Sequence, residues 1–77
     1  MTSTIAPRFK VNQVVYWMEK DRIHSSVVIH RVFDPLRQGY YCRVKSRTNG
    51  VEDWVFEDYL YPSLDGLVKD LTGNIVE

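Results

Sequence analysis

One cysteine, four glycines and three prolines are all that this 77-residue chain carries of the residues that staple, hinge or stiffen a fold. Cys42 alone cannot close an internal disulfide, so the chain is no cystine-stapled secreted scaffold. The opening MTSTIAPRFK lacks the apolar core of a signal peptide, and no stretch approaches the roughly 18 apolar residues of a membrane span, so the sequence reads as soluble, cytoplasmic and without membrane partners. Cys-x-x-Cys, His-x-x-x-His, the P-loop and Gly-x-Gly-x-x-Gly are all missing. His24 and His30 stand six apart on one expected strand, which puts them on one face at about 20 Å, too far to ligate one metal. Glu52, Asp53, Glu57 and Asp58 read as a solvated acidic edge rather than a catalytic carboxylate pair. No metal, cofactor or enzymatic activity is expected.

Apolar residues make up 44% of the chain and aromatic residues 13%, enough for a folded core with rings to spare. A domain of this size closes one core and leaves no room for an internal ligand cavity, so a site belongs on the outside or between subunits. The formal net charge is zero, yet the sign is unevenly spread. Residues 1–47 hold nine basic groups against three acidic ones, a balance of +6, and residues 48–77 hold one against seven, a balance of −6. Either the halves neutralise one another in the fold, or they form a dipolar surface that steers a charged partner or stacks head to tail with a second copy.

Residues 1–8, polar and ending near Ala6-Pro7, read as a flexible arm, and residues 9–77 as one domain. Val11–Met18 is β-branched and aromatic without helical spacing, which predicts a strand, broken by the charged Glu19–Arg22 loop. Ile23–Phe33 predicts a second strand, ended by the turn formers Asp34-Pro35 and Gln38-Gly39. Tyr40–Lys45 makes a third, with Tyr40, Cys42 and Val44 on one face and Tyr41, Arg43 and Lys45 on the other. Asn49-Gly50 signals a hairpin, and Val51–Phe56 completes it as a fourth strand. Glu57–Leu60 reads as one tight helical turn. Ser63 is a good N-cap for a short helix over residues 63–71, whose Leu64, Leu67, Val68 and Leu71 share a face. In this setting Cys42 is a buried, inert thiol.

The pattern of Phe9, Val11, Asn12, Gln13, Val15, Tyr16 and Trp17, followed by Ile23–Val28, then Tyr40, Tyr41 and Val44, then Trp54, Val55 and Leu60, resembles the SH3-like barrels. In particular the chain resembles the small Tudor-like or KOW-like proteins encoded by phages and mobile elements. Asn12-Gln13 stands where that pattern has Gly-Asp, and Ser26 where it has a glycine that lets the second strand bend. The resemblance covers about residues 9–71 and implies a mainly β fold: a small SH3-like barrel of four to five antiparallel strands with a short C-terminal helix. It places Val11, Val15, Trp17, Val28, Val44, Val55 and Leu60 inside, and alternation then sends Tyr16, Tyr41 and Trp54 outward with Arg43 and Lys45. A one-residue slip of the fourth strand would instead bury Trp54 and Phe56 and expose Val55.

Core positions and turns carry this resemblance, so it speaks to fold more than to function. The type II dihydrofolate reductases share the barrel, but Glu52 and Asp53 stand where that family binds anionic substrates. A methyl-lysine cage of Trp17, Tyr16, Trp54 and Asp53 is a further reading that the Tudor likeness invites. Tyr16, Tyr41, Arg43, Lys45 and Trp54 are the candidate partner-binding residues. They fit the rings and charged rim of a protein interface, with a phage-like modulator of a host protein as the implied setting. The alternative reading of the same face, with Arg47 added, is a domain that binds single-stranded or structured nucleic acid. A second copy of the chain is a third partner to weigh.

Overall fold

The computed structural model describes residues 6–73; residues 1–5, which include most of the expected arm, and residues 74–77 lie outside them. Four antiparallel strands form one open sheet in the order β1-β2-β3-β4. They are β1 (Val14–Glu19), β2 (Arg22–Asp34), β3 (Gly39–Ser46) and β4 (Glu52–Phe56). A 3₁₀ turn (Glu57–Tyr59) and the helix α1 (Leu64–Gly73) follow. None of the helices among the described residues is long and apolar enough to cross a membrane.

β1 starts three residues later than its sequence suggests. Asn12 takes a positive φ of 77°, and the Gln13 amide donates to the Lys10 carbonyl at 3.1 Å while the Gln13 side chain accepts the Lys10 amide at 3.0 Å. Asn tolerates that left-handed conformation through its short polar side chain. The turn swings Val11 out of the core, where it is exposed. β1 and β2 are joined by Lys20 and Asp21 alone, both at positive φ (50° and 67°), the conformation of a type I′ turn whose twist matches the flanking strands.

β2 is 13 residues long because it serves two neighbours. Its first half pairs with β1 (Val14 opposite Val27, Glu19 opposite Arg22) and its second with β3 (Val28 opposite Val44, Asp34 opposite Gly39). Between Val28 and His30 the register shifts, leaving Ile29 as a bulge. Beside it the Asn12 amide donates to the Val28 carbonyl at 2.7 Å and the Val28 amide to the Gln13 carbonyl at 3.0 Å. The extra residue reverses the alternation. His24 lies on the inner face, stacked on Trp17 at 4.5 Å, and His30 on the outer face, edge-on to Trp54 at 6.2 Å. The expected shared face of the two histidines is therefore corrected by one bulged residue.

The core gathers Phe9, Val15, Trp17, Val28, Cys42, Val44, Val55 and Leu60. Trp17 donates its indole N–H to Ser26 Oγ at 3.1 Å, and Ser26 is itself buried, so both polar groups are satisfied inside. At the β2–β3 turn Gln38, not Gly39, takes the positive φ (55°), and its amide donates to the Asp34 carbonyl at 2.8 Å. Gly39 is needed for a different reason: a Cβ there would stand 2.6 Å from Phe56 Cζ and 3.0 Å from Glu57 Oε2. Gly50 closes the β3–β4 hairpin at φ 75°, with its amide bonded to the Ser46 carbonyl and the Thr48 amide to Ser46 Oγ.

β4 resolves the question of slip. Trp54 is 46% exposed and Val55 faces the core, as alternation requires. Phe56 returns to Trp54's side yet is buried, because Tyr41 meets its ring at 5.1 Å and Arg37 covers it at 5.5 Å. Glu57 departs from the expected solvated edge: it is buried and accepts the Arg8 amide at 3.3 Å, while the Arg8 side chain reaches Asp58 at 2.8 Å. The chain then crosses the free edge of β1, where Tyr16 and Tyr61 exchange both main-chain hydrogen bonds at 2.8 Å. Ser63 caps α1 by accepting the Gly66 amide on Oγ at 3.1 Å. Leu67 is the buried residue of the helix, Leu71 is half-buried, and Leu64 and Val68 are exposed, so the packed stripe is narrower than the four expected positions. The Tyr61 hydroxyl donates to the Asp70 carboxylate and ties the helix to the segment before it.

Candidate interaction surface

The outer face of β2, β3 and β4 is a set of three cross-strand rows fixed by the ladder. Val32 stands opposite Tyr41 and Tyr41 opposite Phe56; next come His30, Arg43 and Trp54; then Val27, Lys45 and Glu52. Side chains on neighbouring rows of one face lie close enough for long and aromatic groups to meet. Val32, Tyr41 and Trp54 accordingly line a shallow hollow of about 380 Å³. Val32 is as exposed as Trp54.

Two guanidinium groups stand on the rings around it. Arg43 lies 5.4 Å from the Trp54 centroid, and its Nε donates to Glu52 at 2.7 Å. Arg37, from the β2–β3 turn, lies 5.7 Å from the Tyr41 centroid, with Asp34 more loosely placed at 3.8 Å. Each ring contact is worth about 0.5–1 kcal/mol at an exposed site and an exposed ion pair about 0–1 kcal/mol, so ring and charge hold these groups to a comparable degree. The Arg43–Glu52 and Arg8–Asp58 pairs join the basic and acidic parts of the chain. Arg37–Asp34 and His24–Glu19 lie within the basic part. Neutralisation between the two parts is therefore local.

Of the five expected binding residues, Tyr41, Arg43 and Trp54 come together, and Lys45 lies in the adjoining row, exposed. Tyr16 does not join them. It pairs with Ser25 on β2, seven residues from Val32, and that puts it about 20 Å along the sheet. Three members of the cluster lay outside the sequence reading: Val32 and His30, which the Ile29 bulge turns outward, and Arg37, which enters from a turn. No residue pattern in β2 announces the bulge. No match exists among family models, curated proteins or solved structures. The chemistry of this face thus stands on its own geometry.

A second, more polar cleft of about 170 Å³ lies between Arg22, His24, Ser25, Ser46, Thr48 and Asn49 at the other end of β2. Among the described residues no three His, Cys, Asp or Glu side chains group as metal ligands. Cys42 is buried, and its thiol is pushed up to about 11, first by burial, then by the nearby Glu57 carboxylate, with Arg31 acting weakly the other way. In the unfolded chain the thiol ionises near its ordinary value of 9.0, below its folded value. Between those values the unfolded state binds fewer protons, so stability should be fully present below about pH 9 and fall towards about pH 11. Cys42→Ala should flatten the part of that fall due to the thiol. Urea melts of both proteins across that range check it; identical pH profiles would contradict it.

Proposed function

We propose that the chain is a non-enzymatic protein-binding module of SH3-like barrel architecture, acting through the outer face around Tyr41, Arg43 and Trp54, with Lys45 at its margin. The Tyr16–Tyr61 bridge supports the barrel reading, since it lays the segment after the 3₁₀ turn against the free edge of β1. The observation that carries the functional reading is Trp54: a large ring nearly half exposed, beside Val32 and Tyr41 at an apolar hollow. Aromatic side chains with arginines at such a position are the usual anchors of protein interfaces. In a phage-like setting the partner is a host protein whose surface this face occupies.

Nucleic acid is the weaker reading. Base stacking on these rings would compete with the guanidinium groups already over them, Arg43 on Trp54 and Arg37 on Tyr41. The isoelectric point of about 6.7 is far from that of a basic nucleic-acid domain. The test pairs two measurements. Fluorescence anisotropy with labelled single-stranded and duplex oligonucleotides should show no sub-micromolar binding near physiological salt. Capture of a discrete protein by the wild type should be lost with Trp54→Ala or Tyr41→Ala while the urea melt stays within about 1 kcal/mol. Tight oligonucleotide binding with a steep salt slope, weakened by Arg43→Ala and Lys45→Ala, would refute the proposal.

A further inference from the structure

We infer that the hollow between Val32, Tyr41 and Trp54 takes a bulky apolar side chain from a partner segment whose flanking residues are carboxylates. This rests on the reading of the face as protein-binding and names the chemistry of what it binds. Rings and methyl groups line the hollow, and none of the charged groups among the described residues does. The surface the hollow exposes is almost wholly apolar, so an apolar group is the one that gains most by covering it. A methylated ammonium fits poorly. It needs an uncovered ring face and a carboxylate, whereas both rings already carry a guanidinium and no carboxylate lines the hollow.

The surroundings specify the flanks. Arg43 bonds Glu52 through Nε alone, and its terminal nitrogens have no acceptor among the described residues. Among the described residues Arg37 has Asp34 as its carboxylate partner, loosely placed at 3.8 Å. Guanidinium groups held over rings have already lost part of their freedom, so engaging a bidentate carboxylate costs them less further entropy. Lys45 adds a third cation one row away, so Arg37, Arg43 and Lys45 face two carboxylates, Asp34 and Glu52. The local excess is positive, and an acidic partner complements it. The two-part arrangement, an apolar seat with cations beside it, matches a short amphipathic acidic segment.

Labelled short peptides in fluorescence anisotropy test this on the full chain. One arm has a central Leu or Phe flanked by Glu and Asp; a second has the same centre flanked by Lys; a third keeps the acidic flanks around Ala. A single-stranded oligonucleotide is the fourth arm, and a sizing column run over a concentration series is the fifth. The acidic peptide with the apolar centre should bind, and Trp54→Ala should weaken it about tenfold or more. Arg43→Gln and Arg37→Gln should each weaken it less and reduce its salt dependence, with urea melts showing every variant folded. Equal or tighter binding of the Lys-flanked peptide, still lost with Trp54→Ala, would overturn the acidic assignment and leave the protein-binding face standing. Failure of every peptide would likewise overturn the assignment. Trp54-dependent self-association would do so in favour of a second copy. Oligonucleotide binding that depends on Arg37 and Arg43 would overturn both readings.

Discussion

Trp17→Ala should lower the unfolding free energy by about 3–5 kcal/mol, whereas Trp54→Ala, the removal of an identical side chain, should cost less than about 1 kcal/mol. Trp17 is buried, stacks on His24 and donates its indole N–H to Ser26. Its truncation leaves both a void and a buried hydroxyl without its donor, and the second effect alone is worth about 1–3 kcal/mol. Trp17→Phe keeps most of the volume and isolates that hydrogen bond. Trp54 stands nearly half in water on the opposite face, and its neighbours can relax over the space it leaves. A domain this small has little stability to lose, so Trp17→Ala should be largely unfolded at ordinary temperatures. Urea melts at one temperature decide the matter, and equal losses from the two tryptophans would show that the inner and outer faces are wrongly assigned.

Gly39→Val should destabilise by more than the roughly 1–3 kcal/mol typical of overpacking, with Gly39→Ala inside that range. The added Cβ would press on the Phe56 ring and on the Glu57 carboxylate together. Neither yields easily. Phe56 is held between Tyr41 and Arg37, and the buried Glu57 carboxylate accepts the Arg8 amide. Displacing Phe56 also disturbs the row that holds Tyr41, so both variants should weaken binding at the outer face. Ring resonances of Tyr41 and Phe56, followed alongside urea melts, should shift together. A Gly39→Ala change within about 0.5 kcal/mol of wild type would contradict the close approach.

Period-two patterning made much of this arrangement readable. Tyr41, Arg43 and Lys45 face away from Cys42 and Val44, and Trp54 faces away from Val55, because a regular ladder leaves a side chain only two directions. The Ser63 cap is equally local and equally legible. What escaped the sequence depends on groups far apart in the chain. Glu57 looks like a surface carboxylate until the Arg8 amide, 49 residues away, is brought to it. Gly39 looks like a turn glycine, and only the approach of Phe56 shows why it has no side chain. Val11 looks like a strand residue, but the positive φ at Asn12 rotates it into solvent. The candidate surface was half visible for the same reason: β3 and β4 supplied members by alternation, while Val32 and His30 depended on a break in alternation.

That break makes β2 unusual in its tolerance of length. Val28 and His30 stand opposite Val44 and Arg43, which are adjacent on β3. Ile29 is therefore the one position between the two registers whose deletion keeps every described β2 pair, and with it the chemistry of both faces. Deletion of His30 would instead let Ile29 take the place opposite Arg43, keeping the later pairs but putting an aliphatic group in the row of Arg43 and Trp54. Ile29, itself half-buried, contributes curvature, since a bulged strand bends and twists more sharply than a regular one. Shortening the chain there would give a flatter sheet with the same cross-strand pairs, in which a change in how the outer face binds would follow mainly from shape.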